Sequence, residues 1–127
     1  MPDTVERIYN GTFLSCHGLK RVKIGKHVSF MGQRVFRNCY SIETITLPAT
    51  LRHMGERVFL NCRSLKSVYF EGDAPQVVEE RPFEGTPENL TVYVRKGAKG
   101  WTDASGNLPE KWPVGDPDAR PIRYVDR

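Results

Sequence analysis

The chain of 127 residues has the length of a single domain, and its 39 % of hydrophobic residues suffices for a modest core. No run reaches the roughly 18 apolar residues of a membrane-spanning helix, and the opening MPDTVERIYN has no apolar run, so we expect neither membrane insertion nor a signal peptide in this chain. The net charge of +4 is uneven, because residues 1–63 hold ten Lys/Arg and four Asp/Glu, a net charge of +6.

A repeat of 23 residues begins near the N-terminus. Residues 2–24, 25–47 and 48–70 carry the same residue types in the same order without an insertion. One unit is too small to bury its own apolar side chains, so the units are predicted to stack and share a continuous core. The apolar columns are Val5, Val28 and Leu51; Ile8, Met31 and Met54; Thr12, Val35 and Val58; Phe13, Phe36 and Phe59; Cys16, Cys39 and Cys62; Leu19, Ile42 and Leu65; Val22, Ile45 and Val68; Ile24, Leu47 and Phe70.

Each unit ends in a segment where apolar and polar residues alternate, such as Arg21-Val22-Lys23-Ile24. Alternation of this kind predicts a short β-strand, and equivalent strands of stacked units would lie parallel, about 4.8 Å apart, in one sheet. The opposite side of each unit predicts turns, bridges or short helical turns, with Gly32 and Gly55 at a tight corner.

A fourth unit, residues 71–94, is degenerate, because Phe83 follows Phe59 by 24 residues and Thr86 takes the place of the cysteine. Residues 95–127 leave the repeat and contain Trp101 and Trp112 among Gly and Pro. We therefore expect a solenoid over residues 1–94 and an irregular cap over residues 95–127, with a last strand at residues 122–125. Little apolar material precedes the first coil, which predicts N-terminal neighbouring repeats or end-to-end self-association.

The recurring frame P-x-x-V-x-x-I-x-x-x-x-F-x-x-C-x-x-L-x-x-V-x-I resembles the BspA-type leucine-rich repeat family over about residues 2–101. PDTVERIYNGTFLSCHGLKRVKI and PATLRHMGERVFLNCRSLKSVYF match it, and residues 25–47 match with Gly25 in the place of the proline. The resemblance implies a β-rich (α+β) right-handed solenoid of leucine-rich-repeat-like coils. It also implies a secreted or cell-surface protein, often bacterial, that binds other proteins and has no catalytic residue set.

The residues themselves indicate no chemistry. Cys16 and Cys62 would lie two coils apart, about 9–10 Å, whereas sulfurs that share one zinc lie within roughly 4 Å, and no C-x-x-C is present. The cysteines are expected to form a buried column of small side chains, and one disulfide between neighbouring coils stays open as an alternative. No serine lies in a G-x-S-x-G motif, and no phosphate-binding loop is present, so we expect no enzyme, metal site or cofactor.

The side chains on the outward side of the predicted sheet are not needed for packing the core, so this side is the candidate site for a protein partner. Its character changes along the stack from cationic to hydroxyl to aromatic, and Tyr and Arg are favoured in binding hot spots. The candidate residues are Arg21, Lys23, Thr44, Thr46, Ser67, Tyr69, Thr91 and Tyr93. Simple pairing of Tyr69 with Tyr93 across neighbouring strands is the alternative. Arg34 and Arg57 would lie one coil apart, where two cations repel, so we expect a carboxylate or another anion between them. Glu56 is the internal residue that could supply this carboxylate.

These observations favour a non-catalytic protein-interaction module that binds through the outward sheet side. Two alternatives remain open. The chain could be a purely structural C-terminal end piece of a longer repeat protein, or its basic half could bind polyanions by counterion release. No block of five like charges occurs in that half, which is typical of a solvated surface, so no specific nucleic-acid partner is expected.

Overall fold

The computed structural model describes residues 4–125 and confirms the predicted solenoid, which makes about four turns. No helix occurs in these residues, so the short helical turns considered for the side opposite the long strands are not formed. The ten strands in chain order are β1 (Arg7–Ile8), β2 (Arg21–Lys23), β3 (Phe30–Met31), β4 (Thr44–Leu47), β5 (His53–Met54), β6 (Ser67–Phe70), β7 (Val77–Val78), β8 (Thr91–Val94), β9 (Lys111–Trp112) and β10 (Arg120–Tyr124).

The larger sheet has six strands in the order β2-β4-β6-β8-β10-β9. The first five are parallel, and β9 pairs antiparallel with β10. The register follows the repeat, since Val22 pairs with Ile45 and Ile45 with Val68. It then absorbs the longer fourth unit, because Val68 pairs with Val92 and Val92 with Ile122. The predicted strand near residue 122 thus extends the sheet by one position.

A second parallel sheet lies on the other side of the coils, where the sequence predicts only turns, bridges or helical turns. Its two-residue strands follow the order β1-β3-β5-β7. β1, β3 and β5 each bury one side chain, such as Met31 or Met54, and turn the other outward, whereas in β7 Val77 is exposed and Val78 is half-buried. Strands this short carry too little alternation to be distinguished from a turn in the sequence.

The core is a set of ladders in which each column of the repeat stacks on itself. The rings of Phe13, Phe36, Phe59 and Phe83 form one continuous stack, with neighbouring centroids 5.4, 5.8 and 5.8 Å apart and planes within 10°. Phe36, Phe59 and Phe83 are fully buried, and Phe13 at the N-terminal end is only partly buried. The phenylalanine column therefore packs as predicted, like residue on like residue, whereas Thr12 of a neighbouring column is exposed.

The two ends of the stack differ. At the C-terminal end Trp101 and Trp112 are buried and lie 4.8 and 5.4 Å from the ring of Phe70, centroid to centroid. At the N-terminal end a cavity of about 460 Å³ remains, lined mainly by apolar side chains of the first coil, including Val5, Phe13 and Val22. Aromatic side chains therefore close only the C-terminal end.

Each coil turns through two positions with a left-handed backbone. The first position is Gly11, Arg34, Arg57 and Arg81, with φ between +50° and +65°, and the second is Ser15, Asn38, Asn61 and Gly85. The predicted corner glycines have a different role, because neither Gly32 nor Gly55 has a positive φ. A Cβ on Gly55 would lie 2.3 Å from the carbonyl carbon of Gly32, so glycine is needed there for the close approach of two coils.

Candidate functional site

The structure brings the eight candidate residues together in two parallel rows on the outward side of the six-stranded sheet, which we call the outward face. Because their side chains alternate with the inward-facing residues of β2, β4, β6 and β8, all eight point away from the core. One row holds Arg21, Thr44, Ser67 and Thr91, and the other holds Lys23, Thr46, Tyr69 and Tyr93.

The local sequence fixes this orientation. Ile45, Leu47 and Val68 are fully buried, and their outward neighbours are half-buried. A shift of one residue in register would expose these apolar side chains, so the register is strongly specified. The outward side chains of β2 are more exposed because no strand of residues 4–125 flanks that edge.

The two tyrosines of the outward face stack on each other. The rings of Tyr69 and Tyr93 lie 5.0 Å apart with an angle of 15° between their planes, which is the cross-strand pairing considered from the sequence. Both tyrosines are half-buried, so part of each side chain remains in contact with solvent. The pairing therefore leaves both tyrosines accessible to a partner on the outward face.

Sequence reasoning missed Arg123, which continues the second row beyond Tyr93 in the register of β10 with β8. Arg123 is exposed, so the outward face carries cations at both ends of the row that begins at Lys23. The sequence does predict a strand at residues 122–125, which contains Arg123. Its register with the preceding strand could not be predicted, because a segment of about 25 residues outside the repeat separates the two strands. No acidic residue lies in either row between Arg21 and Arg123.

A groove of about 360 Å³ opens on the outward face, lined by Arg21, Thr44, Thr46, Tyr69 and Val125. The lining residues carry one guanidinium, two threonine hydroxyls and one tyrosine hydroxyl, which are hydrogen-bond donors and acceptors, and no acidic group. Such a lining can hold an extended segment by polar contacts, and it offers no nucleophile–base pair of the kind that covalent catalysis requires.

An ion ladder runs along the turns at one edge of the solenoid. The carboxylate of Glu56 lies 3.5 Å from Arg34 and 3.0 Å from Arg57, and so occupies the place that the sequence predicts for an anion. Glu84 in turn bridges Arg57 at 2.9 Å and Arg81 at 3.3 Å. The ladder ends in the C-terminal segment, where Asp118 contacts Arg81 at 2.6 Å.

These contacts raise the pKa of two guanidinium groups. The hydrogen bond from Arg57 to Glu84 raises the pKa of Arg57, with further attraction from Glu56 and Glu80. The hydrogen bond from Arg81 to Asp118 raises the pKa of Arg81 in the same way. Both arginines stay charged at any physiological pH, so the ladder keeps these two cations throughout that range.

The three cysteines are free thiols, so the open alternative of a disulfide is not realised. The Sγ of Cys39 donates to the carbonyl of Phe13 and the Sγ of Cys62 to that of Phe36, each across one coil. Burial raises the pKa of Cys39 and raises that of Cys62 to about 12, with a smaller contribution from the neighbouring thiol. Cys62 is therefore a protonated donor and a poor nucleophile.

Over residues 4–125, no three His, Cys, Asp or Glu side chains come together in a way that could hold a metal ion. One pair of such side chains is in contact, because the Nε2 of His53 and the Oε2 of Glu79 lie 2.6 Å apart. The ring of His53 also stacks on Phe30 at 4.6 Å, which makes it part of the smaller sheet's outer side. Within residues 4–125 there is no helix long and apolar enough to cross a membrane.

The fold and its stacked columns define a repeat protein of the β-solenoid class, with 23-residue coils and a leucine-rich-repeat pattern. The sequence profile of the BspA type leucine-rich repeat region, which comprises six copies, matches residues 1–99. The chain belongs to this family. Repeats of the family are generally non-catalytic and commonly mediate protein interactions. No curated protein and no solved structure matches the chain.

Proposed function

We propose that the chain is a non-catalytic interaction module of a surface or secreted protein, and that it binds a protein partner through the outward face. The observation that carries the proposal is the composition of the two rows, in which Arg, Lys, Thr, Ser and Tyr side chains stand together without an acid. Membership of a family whose repeats commonly mediate protein interactions supports it.

The chemistry of the face selects among partners. Arg21 and Lys23 at one end and Arg123 at the other favour a partner with acidic groups spaced across the sheet. From β2 to β10 there are four strand spacings of about 4.8 Å, roughly 19 Å, which an extended segment of about six residues would span. Tyr and Arg give such a contact large area for little entropic cost.

The test compares two charge reversals. The chain is immobilised, proteins that it captures are identified, and each partner's affinity is then measured with Arg21→Glu and with Arg52→Glu, an exposed arginine outside the outward face. We expect Arg21→Glu to weaken binding about tenfold or more and Arg52→Glu to leave it unchanged. Equal affinities of both variants for every captured partner would reject the outward face.

A second candidate function is structural: the chain serves as the C-terminal end piece of a longer stack, with residues 1–94 as coils and residues 95–127 as their cap. The open N-terminal end favours it. The carbonyls of Asn10, Thr12 and Leu14 accept no hydrogen bond from residues 4–125, while their equivalents in the next coil accept from Gly11, Phe13 and Ser15. Another coil of the same polarity would supply the matching N–H groups.

A head-to-head pair of copies fits this end poorly. It would set carbonyl against carbonyl and bring the cationic rim of Arg7, Arg21 and Lys23 against itself. To test acceptance of a coil, a copy of residues 25–47 is fused ahead of residue 2. We expect a higher melting temperature, and no gain when that copy carries Asp in place of Phe36. A melting temperature unchanged by the intact copy would reject the second candidate.

A further inference from the structure

The ion ladder ends at Arg34, whose positive charge is only partly neutralised by a carboxylate. Arg57 has carboxylate oxygens at 2.9, 3.0 and 3.8 Å from three different acids. Among residues 4–125 a single carboxylate lies near Arg34, that of Glu56 at 3.5 Å, and Arg34 shares it with Arg57. Its side chain is 40 % exposed, against 21 % for Arg57, although both occupy the same left-handed position of their coils.

The repeat shows which group is missing. In the second coil the residue before the arginine is Gln33, and in the third coil it is Glu56, which bonds its own neighbour Arg57. The position of Glu84, which bonds Arg57 from the following coil, is occupied one coil earlier by Leu60. Two carboxylates of the ladder are thus replaced by neutral side chains around Arg34.

A pocket of about 230 Å³ lies at this end of the ladder, lined by Asn10, Gly11, Leu14, Gln33, Arg34 and Arg37. The lining holds two guanidinium groups and two side-chain amides, and no acid. The Oδ1 of Asn10 accepts from the backbone N–H of Gln33, which leaves the amide nitrogen of Asn10 to donate. Gly11 stands at the arginine position of the first coil, and no atom lies within 4 Å of the place where its Cβ would be.

We propose that this pocket binds the carboxylate of an acidic side chain from a protein partner. A pocket that offers hydrogen-bond donors and positive charge, and that contains no acidic residue, favours an oxyanion as its ligand. A planar guanidinium pairs with a carboxylate through two parallel hydrogen bonds. The carboxylate takes the place beside Arg34 that the carboxylate of Glu56 takes beside Arg57. The pocket lies on the turn edge of the solenoid and not on the outward face, so it is a separate contact.

The test uses a hexaglutamate peptide as the probe and follows the NMR signals of the Arg34 and Arg37 side-chain N–H groups and of the Gly11 amide. We expect saturable shifts that are weakened about tenfold or more in Arg34→Gln and, independently, in Arg37→Gln. The Gln33→Glu variant supplies the missing carboxylate from within the chain, so it is expected to raise the melting temperature and to abolish the shifts.

The control is Arg52→Gln, an exposed arginine outside the pocket, which should bind hexaglutamate like the unmodified chain. Shifts that survive both Arg34→Gln and Gln33→Glu would overturn the proposal, as would their absence from the unmodified chain. Inorganic phosphate is titrated at matched ionic strength, and stronger binding of phosphate than of hexaglutamate would overturn the choice of a carboxylate. None of these outcomes depends on the outward face, so each proposal can fail alone.

Discussion

At the scale of single residues, the phenylalanine in the middle of each coil contributes most to the core. Phe36 has an aromatic ring on both sides, at 5.4 and 5.8 Å, and it is fully buried. Neighbours above and below are held by their own coils and cannot both collapse into a hole. We expect Phe36→Ala to lower the free energy of unfolding by about 3–5 kcal/mol, measured by urea denaturation.

Lys20 is the matched control for this substitution. Its side chain is exposed, and what it contributes to the fold is its backbone carbonyl, which accepts from Glu43 and Thr44. An alanine keeps that carbonyl, so Lys20→Ala should change stability by less than about 0.5 kcal/mol. Equal losses for the two variants would contradict the assignment of the phenylalanine column to the core.

The buried thiol of Cys62 should make stability depend on pH in the alkaline range. Burial raises its pKa from 9.0 to about 12, so above pH 9 the unfolded chain loses a proton that the folded chain retains. Stability therefore falls as pH rises through this window. Between pH 9 and 11 we expect Cys62 to account for a loss of about 2–3 kcal/mol.

Urea denaturation of the unmodified chain and of Cys62→Ala at several pH values measures this contribution. The variant starts from a lower stability because it lacks the hydrogen bond to Phe36, so the slopes are compared and not the absolute values. A shallower decline in Cys62→Ala is the expected result. Parallel declines in the two proteins would show that Cys62 titrates alike in the folded and unfolded chains.

At the scale of the coil, the distance between neighbouring turns depends on glycine. The Cβ of an alanine at residue 55 would lie 2.3 Å from backbone atoms of Gly32, which cannot move without separating two coils. We expect Gly55→Ala to cost about 1–3 kcal/mol. Gly18→Ala is the control, because a Cβ there meets no atom within 4 Å, and its thermal midpoint should stay near that of the unmodified chain. A normal midpoint for Gly55→Ala would mean that the turns are spaced more widely.

The sequence predicts the long strands because they combine alternation with a repeat. In the third coil, Val68 and Phe70 face inward and Ser67 and Tyr69 outward, as the period of two requires. The turns could not be predicted in the same way. A left-handed backbone at Arg34 follows no residue preference, since arginine has none for positive φ, and it is imposed by the packing of the coils.

The candidate site was predictable to the same extent as the strands that carry it. The repeat places the eight residues of the outward face in two rows, and the structure shows these rows. The positions of Arg123 and Asp118 could not be predicted, because both residues lie beyond Val94, where the repeat has ended. Without a repeat, the number of a residue does not tell which position of a strand or turn it occupies. Glu84 was missed as a ladder member because the fourth unit is one residue longer than the others.

At the scale of the whole molecule, stability should decrease from the closed end to the open end. A solenoid is held by contacts between neighbouring coils, so a coil with one neighbour is less stable than a coil with two. Among the strands of residues 4–125, β2 pairs with β4 alone, whereas β6 is bonded to β4 and β8. Phe13 and Leu19 are also only partly buried, whereas Phe59 and Leu65 are fully buried.

Native-state hydrogen exchange reports this gradient directly. The amide of Ile24 bonds to the carbonyl of Thr46, and opening of the first coil alone would release it without disturbing the Phe59 coil. We expect the amides of Val22 and Ile24 to exchange at least about tenfold faster than those of Val68 and Val92, and to respond less to low concentrations of denaturant, because they exchange by local opening. Equal protection of all four amides would mean that the solenoid opens only as a unit. The same measurement on the chain fused to an additional N-terminal coil should slow exchange at Ile24 and leave Val92 unchanged, since the added coil stabilises only the end that it covers.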